Sequence, residues 1–423
     1  MDNFGLGLVG AALEGGYLLS PLIVDTVEQT GLRLRAIYDT KGVDAQEVEM
    51  LINSKYDRLG IPQDLYLTND LQHMFNDFML DVMLVTVPAE EHRAIIETAL
   101  SGFGKVALTG PLALDLEDAQ AIVDASREHP LLVNLPRRFE AGWQKVTELL
   151  SSGVIGELQF VNLRAFLPET NYLRLWQRTQ DHRDDLFLGQ LCGYMDALNW
   201  YAGAACVQLS AIGNIGKHDL DNYDPNGIFT ALFHQLPIRW RSLAAPAQAG
   251  TVVDNFPADE YVDRLAAQMR FSNGVLGSLT ICSSGPTAAD AEDLELIGNR
   301  GRIWFNAAEG KLSLHFWNGS DSERMTGLGD LDLPLTKRLN AAFLAQLPAY
   351  IQGEPPAATA VEAAEALKMA LAVLDSMHDN GRPVLMGLEI EGEQLPAEES
   401  AAGAADKAIL SEEMNLNDEK QEE

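Results

Sequence analysis

The run Phe4-Gly5-Leu6-Gly7-Leu8-Val9-Gly10, continuing Ala11-Ala12-Leu13-Glu14-Gly15-Gly16, constrains this chain more than any other stretch. A β-compatible apolar segment passes at once into glycines. Apolar residues then recur at helical spacing through Leu19, Leu22, Ile23 and Val27. A second segment, 31–39, alternates apolar and basic residues and ends on Asp39. Strand, glycine turn, helix and strand in that order open a parallel sheet. Against the pattern G-x-G-x-x-G the turn supplies Gly10, Ala12 and Gly15, with alanine at the middle position, where a missing Cβ normally lets the backbone approach a pyrophosphate. Asp39 stands where an acid accepts hydrogen bonds from an adenosine ribose, which favours NAD over NADP. Residues 1–135 are therefore expected to form a Rossmann-type NAD(P)-binding domain.

Further buried strands are predicted at 81–87, 105–108 and 131–134, with helices at 90–101 and 116–128 between them. A helix over 143–152 leads away from that sheet and ends at Gly153. Strand-like runs then dominate, at 157–166, 206–213, 228–234, 264–272, 275–282, 293–297 and 302–306, and Asn273-Gly274 marks a hairpin. A helix at 186–202 interrupts them, and two more, at 338–352 and 359–378, follow. The expected fold class is an α/β Rossmann domain followed by an α+β domain, residues 136–386, with a mostly antiparallel open sheet. Residues 387–423, rich in Glu, Ala and Ser without periodicity, are expected to be a disordered acidic tail.

The formal charge is −32, and the stretch after Met386 carries twelve acidic residues against Lys407 and Lys420. Such a surface repels phosphate backbones, so nucleic acid is not an expected partner. No apolar run approaches the ~18 residues that span a bilayer, so no membrane is expected either. The segment MDNFGLGLVG has no basic n-region, and the expected location is cytoplasmic. Cys192, Cys206 and Cys282 lack metal-type spacing and read as reduced, small hydrophobic residues, without a disulfide framework or a metal site.

Five patches together resemble the Gfo/Idh/MocA oxidoreductases, which include glucose–fructose oxidoreductase and inositol dehydrogenase. They are the glycine turn with Asp39; Asp81-Val82-Met83-Leu84-Val85-Thr86-Val87-Pro88 followed by His92; Gly110-Pro111-Leu112-Ala113 with Arg137-Arg138-Phe139; Ser152-Gly153-Val154-Ile155-Gly156-Glu157; and Phe271-Ser272-Asn273-Gly274 with Gly298-Asn299-Arg300-Gly301. The resemblance implies hydride transfer between NAD(P) and a sugar, polyol or related carbonyl compound. It implies a cofactor side built from Gly10, Ala12, Gly15, Asp39, Thr86, Pro88, His92 and Arg138. It also implies a homo-oligomer, since members of this family pair through the open face of the second sheet.

In that family the proton step rests on a lysine in E-K-P and a histidine downstream. Here those positions read Gly110 and Gly193, and the residue before Arg137 is Pro136. Glycine offers no proton donor, a group contributing roughly 10²–10⁴-fold where present. Three side chains are candidates to replace it: Tyr194, next to the vacant position on the same helix, Asp196, which matches a family position near the substrate, and His182 in the polar loop 180–185. Arg137 and Arg138 are candidates to meet the cofactor or an anionic substrate, or to pair with a carboxylate, and Asp263 is a further carboxylate beside a strand. Two functions follow, an atypical NAD(P)-dependent oxidoreductase and a catalytically degenerate dinucleotide- or ligand-binding protein with a regulatory or scaffold role.

Overall fold

The computed structural model describes residues 4–10, 19–39, 43–60, 65–77, 79–168, 183–216, 261–285, 291–317, 323–328 and 335–387. Within them, the apolar segments of the N-terminal part pair as six parallel strands. These are β1 (Phe4–Val9), β2 (Leu32–Tyr38), β3 (Tyr66–Thr68), β4 (Val82–Val85), β5 (Val106–Leu108) and β6 (Leu132–Val133), in the order β3-β2-β1-β4-β5-β6. Strands β1 and β4 are buried almost throughout, as a sheet covered on both faces requires. The strand order reverses between β1 and β4, which opens a crevice beyond their carboxyl ends.

The helix expected after the glycine turn is divided into α1 (Ser20–Asp25) and α2 (Val27–Thr30). Thr26 lies at the break, its hydroxyl donating to the Leu22 carbonyl at 2.8 Å, a back-bond that bends helices. Helices α3 (Val43–Leu59) and α4 (Leu71–Asp77) flank β3, and none of the three was anticipated. The three-residue edge strand β3 is too short to show a period. Helices α5 (His92–Gly102), α6 (Leu116–Ala125) and α7 (Ala141–Ser151) fall close to their predicted places. Asp115 caps α6 by accepting from Asp118 N–H, and Glu140 caps α7 by accepting from Gly142 and Trp143 N–H.

The second sheet has nine strands among the described residues, in the order β14-β13-β12-β11-β7-β10-β9-β8-β15. They are β7 (Leu158–Pro168), β8 (Cys206–Gly216), β9 (Tyr261–Phe271), β10 (Leu276–Gly285), β11 (Ala291–Gly298), β12 (Gly301–Asn306), β13 (Lys311–Phe316), β14 (Glu323–Met325) and β15 (Val384–Leu385). Only the β7–β10 pairing is parallel among them. The hairpin at Asn273-Gly274 joins β9 to β10, with Gly274 at φ +88°. The predicted strand at 228–234 and the expected tail beyond residue 387 lie outside the described residues.

Alternation sorts this sheet into two faces. Val161, Leu163, Ala165, Leu279, Ile281, Leu294 and Leu296 point inward and are buried. Helices α8 (Arg183–Ala202) and α11 (Ala360–His378) pack against this sheet and against each other. The expected helix at 338–352 is two, α9 (Leu335–Leu344) and α10 (Leu347–Ile351), the second beginning where Pro348 cannot continue a helix from before it. On the other face Arg270, Leu276, Phe160 and Ile297 stand side by side across four strands. Among the described residues no helix is long and apolar enough to cross a membrane.

Candidate functional site

The carboxyl ends of the parallel strands gather most of the residues singled out in the sequence. Gly10 ends β1 at φ +98°, where a left-handed backbone favours glycine, and a Cβ there would lie 2.9 Å from Val87. The Thr86 hydroxyl donates to the Gly10 carbonyl at 2.7 Å, with the Val9 carbonyl at 3.2 Å, and so ties the end of β1 to the end of β4. Pro88 caps the 3-10 turn Ala89–Glu91 that leads into α5. Ala12, Gly15 and His182 lie outside the described residues, as does the side chain of Asp263.

Asp39 follows β2, its N–H donating to the Thr68 carbonyl at 3.1 Å. The neighbouring Tyr38 phenol is pushed up by burial and further by the charges of Glu91, Asp39 and Asp70. The end of β2 is thus a place of concentrated negative potential.

His92 is buried, with Nε2 2.8 Å from the Val87 carbonyl and Nδ1 3.1 Å from the Leu112 carbonyl. The ring braces the loop after β4 against the loop after β5. That second loop carries Gly110 at φ +81°, and the nearest heavy atom to a Cβ there would be the His92 ring at 3.9 Å.

Helix α8 crosses this edge and presents Gly189 and Gly193, four residues apart, on one face. A Cβ on Gly189 would meet Pro111 Cδ at 3.0 Å. A Cβ on Gly193 would meet Arg137 Nη1 at 2.8 Å. Glycine inside a helix costs about 1 kcal/mol relative to alanine, and here it permits close approach of two elements from the first sheet.

Arg137 and Arg138 lie in the 3-10 turn Pro136–Arg138 after β6, and both are under a tenth exposed. Arg137 donates from Nε to Glu292 Oε2 at 3.0 Å and from Nη2 to Glu292 Oε1 at 2.6 Å. Its guanidinium lies over the Tyr194 ring at 4.3 Å, and the Tyr194 hydroxyl donates to Glu292 Oε1 at 3.3 Å. Arg138 holds Asp196 from Nε at 3.1 Å and from Nη2 at 2.7 Å. Burial is the largest influence on Arg137 and works against its charge, but Glu292, Tyr194 and Asp196 together make the net shift upward. Burial likewise pushes the Asp196 carboxyl up, against the pull of Arg138. Below them Glu140 faces Arg338 at 3.7 Å, its carboxyl also pushed up by burial. Cys192, on the same helix, is buried and its thiol is pushed up to about 12, which leaves it unreactive at neutral pH.

Glu292 has no place among the sequence candidates, yet the sequence signals it. In Ala291-Glu292-Asp293-Leu294-Glu295-Leu296 it lies in phase with the inward leucines, an acid in a core register. No group of three or more His, Cys, Asp or Glu among the described residues could hold a metal.

Two family signatures divide the chain. The oxidoreductase family with an NAD-binding Rossmann fold matches residues 4–135, and the GFO/IDH/MocA C-terminal domain matches residues 143–304. The chain belongs to the Gfo/Idh/MocA family. Among curated relatives, the inositol 2-dehydrogenase of Salmonella typhimurium is 26% identical over 167 residues, 39% of this chain and 46% of that protein. The matched stretch thus spans less than half the length of that relative. Two solved structures share the fold. Levoglucosan dehydrogenase, in complex with NADH and levoglucosan, superposes with a TM-score of 0.65 at 16% identity, covering 91% of this chain and 99% of that one. The myo-inositol 2-dehydrogenase from Lactobacillus plantarum gives 0.63 at 15% identity, covering 91% and 100%.

Proposed function

We propose that this member of the Gfo/Idh/MocA family is an atypical oxidoreductase that binds NAD and a sugar, polyol or related carbonyl compound. The observation that carries the reading is the turn at the carboxyl end of β1, where Gly10 at φ +98° lies at the point between β1 and β4 at which the strand order reverses. Asp39 at the end of β2, where the charges of Glu91 and Asp70 also reach the neighbouring Tyr38, supports NAD over NADP. Relatives in the family support the ligand class, their printed substrates being inositols and levoglucosan.

In this reading NAD supplies hydride acceptance or donation when bound. Thr86 fixes the turn that faces it, Asp39 meets the ribose, and His92 and Arg138 hold the surrounding loops rather than touch it. We read Gly110 and Gly193 as the emptied lysine and histidine positions of the family. Glycine carries no proton at positions 110 and 193, so the proton that accompanies the hydride would move through another group, for which Tyr194, hydrogen-bonded to Glu292, and Asp196, held by Arg138, are the candidates. Those two glycines also favour the second reading, a binding protein without turnover.

Titration of the full chain with NADH by calorimetry is expected to show micromolar affinity. No heat up to about 1 mM NADH would overturn dinucleotide binding. NADH bound without turnover across a panel of polyols and sugars would select the second reading.

We further propose that two copies pair through the open sheet face, where Phe160 and Leu276 are more than a third exposed. Sedimentation at micromolar concentration is expected to give at least a dimer, and a monomer mass would refute it.

A further inference from the structure

We propose that the open face of the second sheet meets a second copy about one defined two-fold axis, running with β7 and β10, so that the arginines of β9 face the acids of β11 on the other copy. The inference rests on the pairing proposed above and adds its orientation and the residues that select it.

Cross-strand register sorts the outward side chains into rows. Ile297, Phe160, Leu276 and Arg270 form one row, across β11, β7, β10 and β9. Glu295, Asn162, Ser278 and Gln268 form the next, Asp293 leads the third, and Arg264 ends the fourth, back on β9. The acids of β11 thus occupy the middle rows and the arginines of β9 the outer ones, on opposite sides of the central pair β7 and β10. Among the described residues, β9 carries no acid on this face and β11 no base. Arg264 and Arg270 are exposed, and so are Phe160 and Leu276 between the two charged strands.

A chain of net charge −32 repels its own copies. Contact is least opposed where acids do not dominate. On this face Arg164, Arg264, Arg270 and Arg302 stand against Asp293 and Glu295. Glu295 pairs with Arg302 at 3.0 Å and Asp293 with Arg164 at 3.3 Å. A carboxylate has about four acceptor sites, so both acids keep capacity for a further donor.

In an isologous contact each residue meets a counterpart that meets it in return. Aligned sheets stack about 10 Å apart, and a two-fold axis in the plane of contact has two simple settings. Running with the strands, between β7 and β10, it preserves the rows and exchanges their two ends. Phe160 of one copy then covers Leu276 of the other, and Gln268 covers Glu295. Arg270 comes within one row of Glu295, and Arg264 within one row of Asp293, a step of about 7 Å along a strand. Running across the strands, the axis lays β9 on β9 and β11 on β11, base on base and acid on acid. Charge selects the first setting.

Sedimentation of the full chain tests the orientation. Arg270→Glu is expected to raise the dimer dissociation constant at least about tenfold, and Glu295→Arg to do the same. An equimolar mixture of the two variants is expected to regain the affinity of the unaltered chain, because both contacts across the axis then join opposite charges. An axis across the strands gives the opposite sign, since Arg270→Glu would relieve repulsion there and tighten the pair. Far-ultraviolet circular dichroism checks each fold, and Arg270→Glu carries the test by its sign if Glu295→Arg does not fold. A dissociation constant unchanged or lowered by Arg270→Glu, or a mixture no tighter than its components, would overturn the orientation alone. A monomeric unaltered chain would overturn the pairing itself and the orientation with it.

Discussion

Glu292→Ala is expected to lower the unfolding free energy by about 3–5 kcal/mol, the largest loss anticipated for a single substitution here. The carboxylate is 4% exposed and accepts two hydrogen bonds from Arg137 and one from Tyr194. Its removal leaves a guanidinium inside the protein with nothing to balance it, and that desolvation cost dominates the effect. Replacing both partners, as in Arg137→Met with Glu292→Leu, is expected to recover most of the loss, because two apolar side chains need no mutual charge. Arg164 and Asp293 give the control. They pair at 3.3 Å one residue along the same strand, but on the open face, with Arg164 55% exposed. Asp293→Ala should therefore cost no more than about 1 kcal/mol. Urea midpoints measure all of these variants. A Glu292→Ala loss as small as that of Asp293→Ala would show that water reaches the inner pair.

NADH is expected to bind about a hundredfold more tightly than NADPH, and Asp39→Ser to reduce the ratio to about tenfold. Two decades correspond to about 2.7 kcal/mol. A unit charge 4 Å from another costs about 1 kcal/mol in water and about 4 kcal/mol near a protein surface, so one carboxylate beside a 2′-phosphate accounts for much of it. Asp70 and Glu91, whose fields also reach Tyr38, account for the preference that remains in the variant. Calorimetry at low and high salt separates the contributions, since exposed charges are screened. An NADPH affinity equal to that of NADH in the unaltered chain would sink the assignment.

The sequence makes the first sheet legible where strands are long or end in marked turns. β1, with the glycines behind it, and β2, with Asp39 directly after it, are read within a residue or two. β3 is invisible because three half-exposed residues carry no period. The break between α1 and α2 depends on how a threonine hydroxyl is satisfied, which apolar spacing does not register. Tyr194 and Asp196 are correctly placed on a helix beside Gly193, but their partners are not readable. Glu292 is 98 residues from Tyr194 in sequence, and Arg138 is 58 from Asp196. The phase of Glu292 with Leu294 and Leu296 is the one local sign that a charge turns inward. It identifies a buried acid without naming the base it meets.

The two ion pairs also decide how the molecule can move. Arg137 reaches from the turn after β6 to β11, and Arg138 from the same turn to α8. Tyr350 of α10 adds a third link, accepting from Val106 N–H of β5 at 3.1 Å and donating toward the Pro130 carbonyl. Swinging one sheet away from the other like a jaw would bare two guanidiniums and two carboxylates at once. The turn after β6, β11 and α8 are therefore held as one block, and hinge opening at this point is opposed by the loss of both pairs.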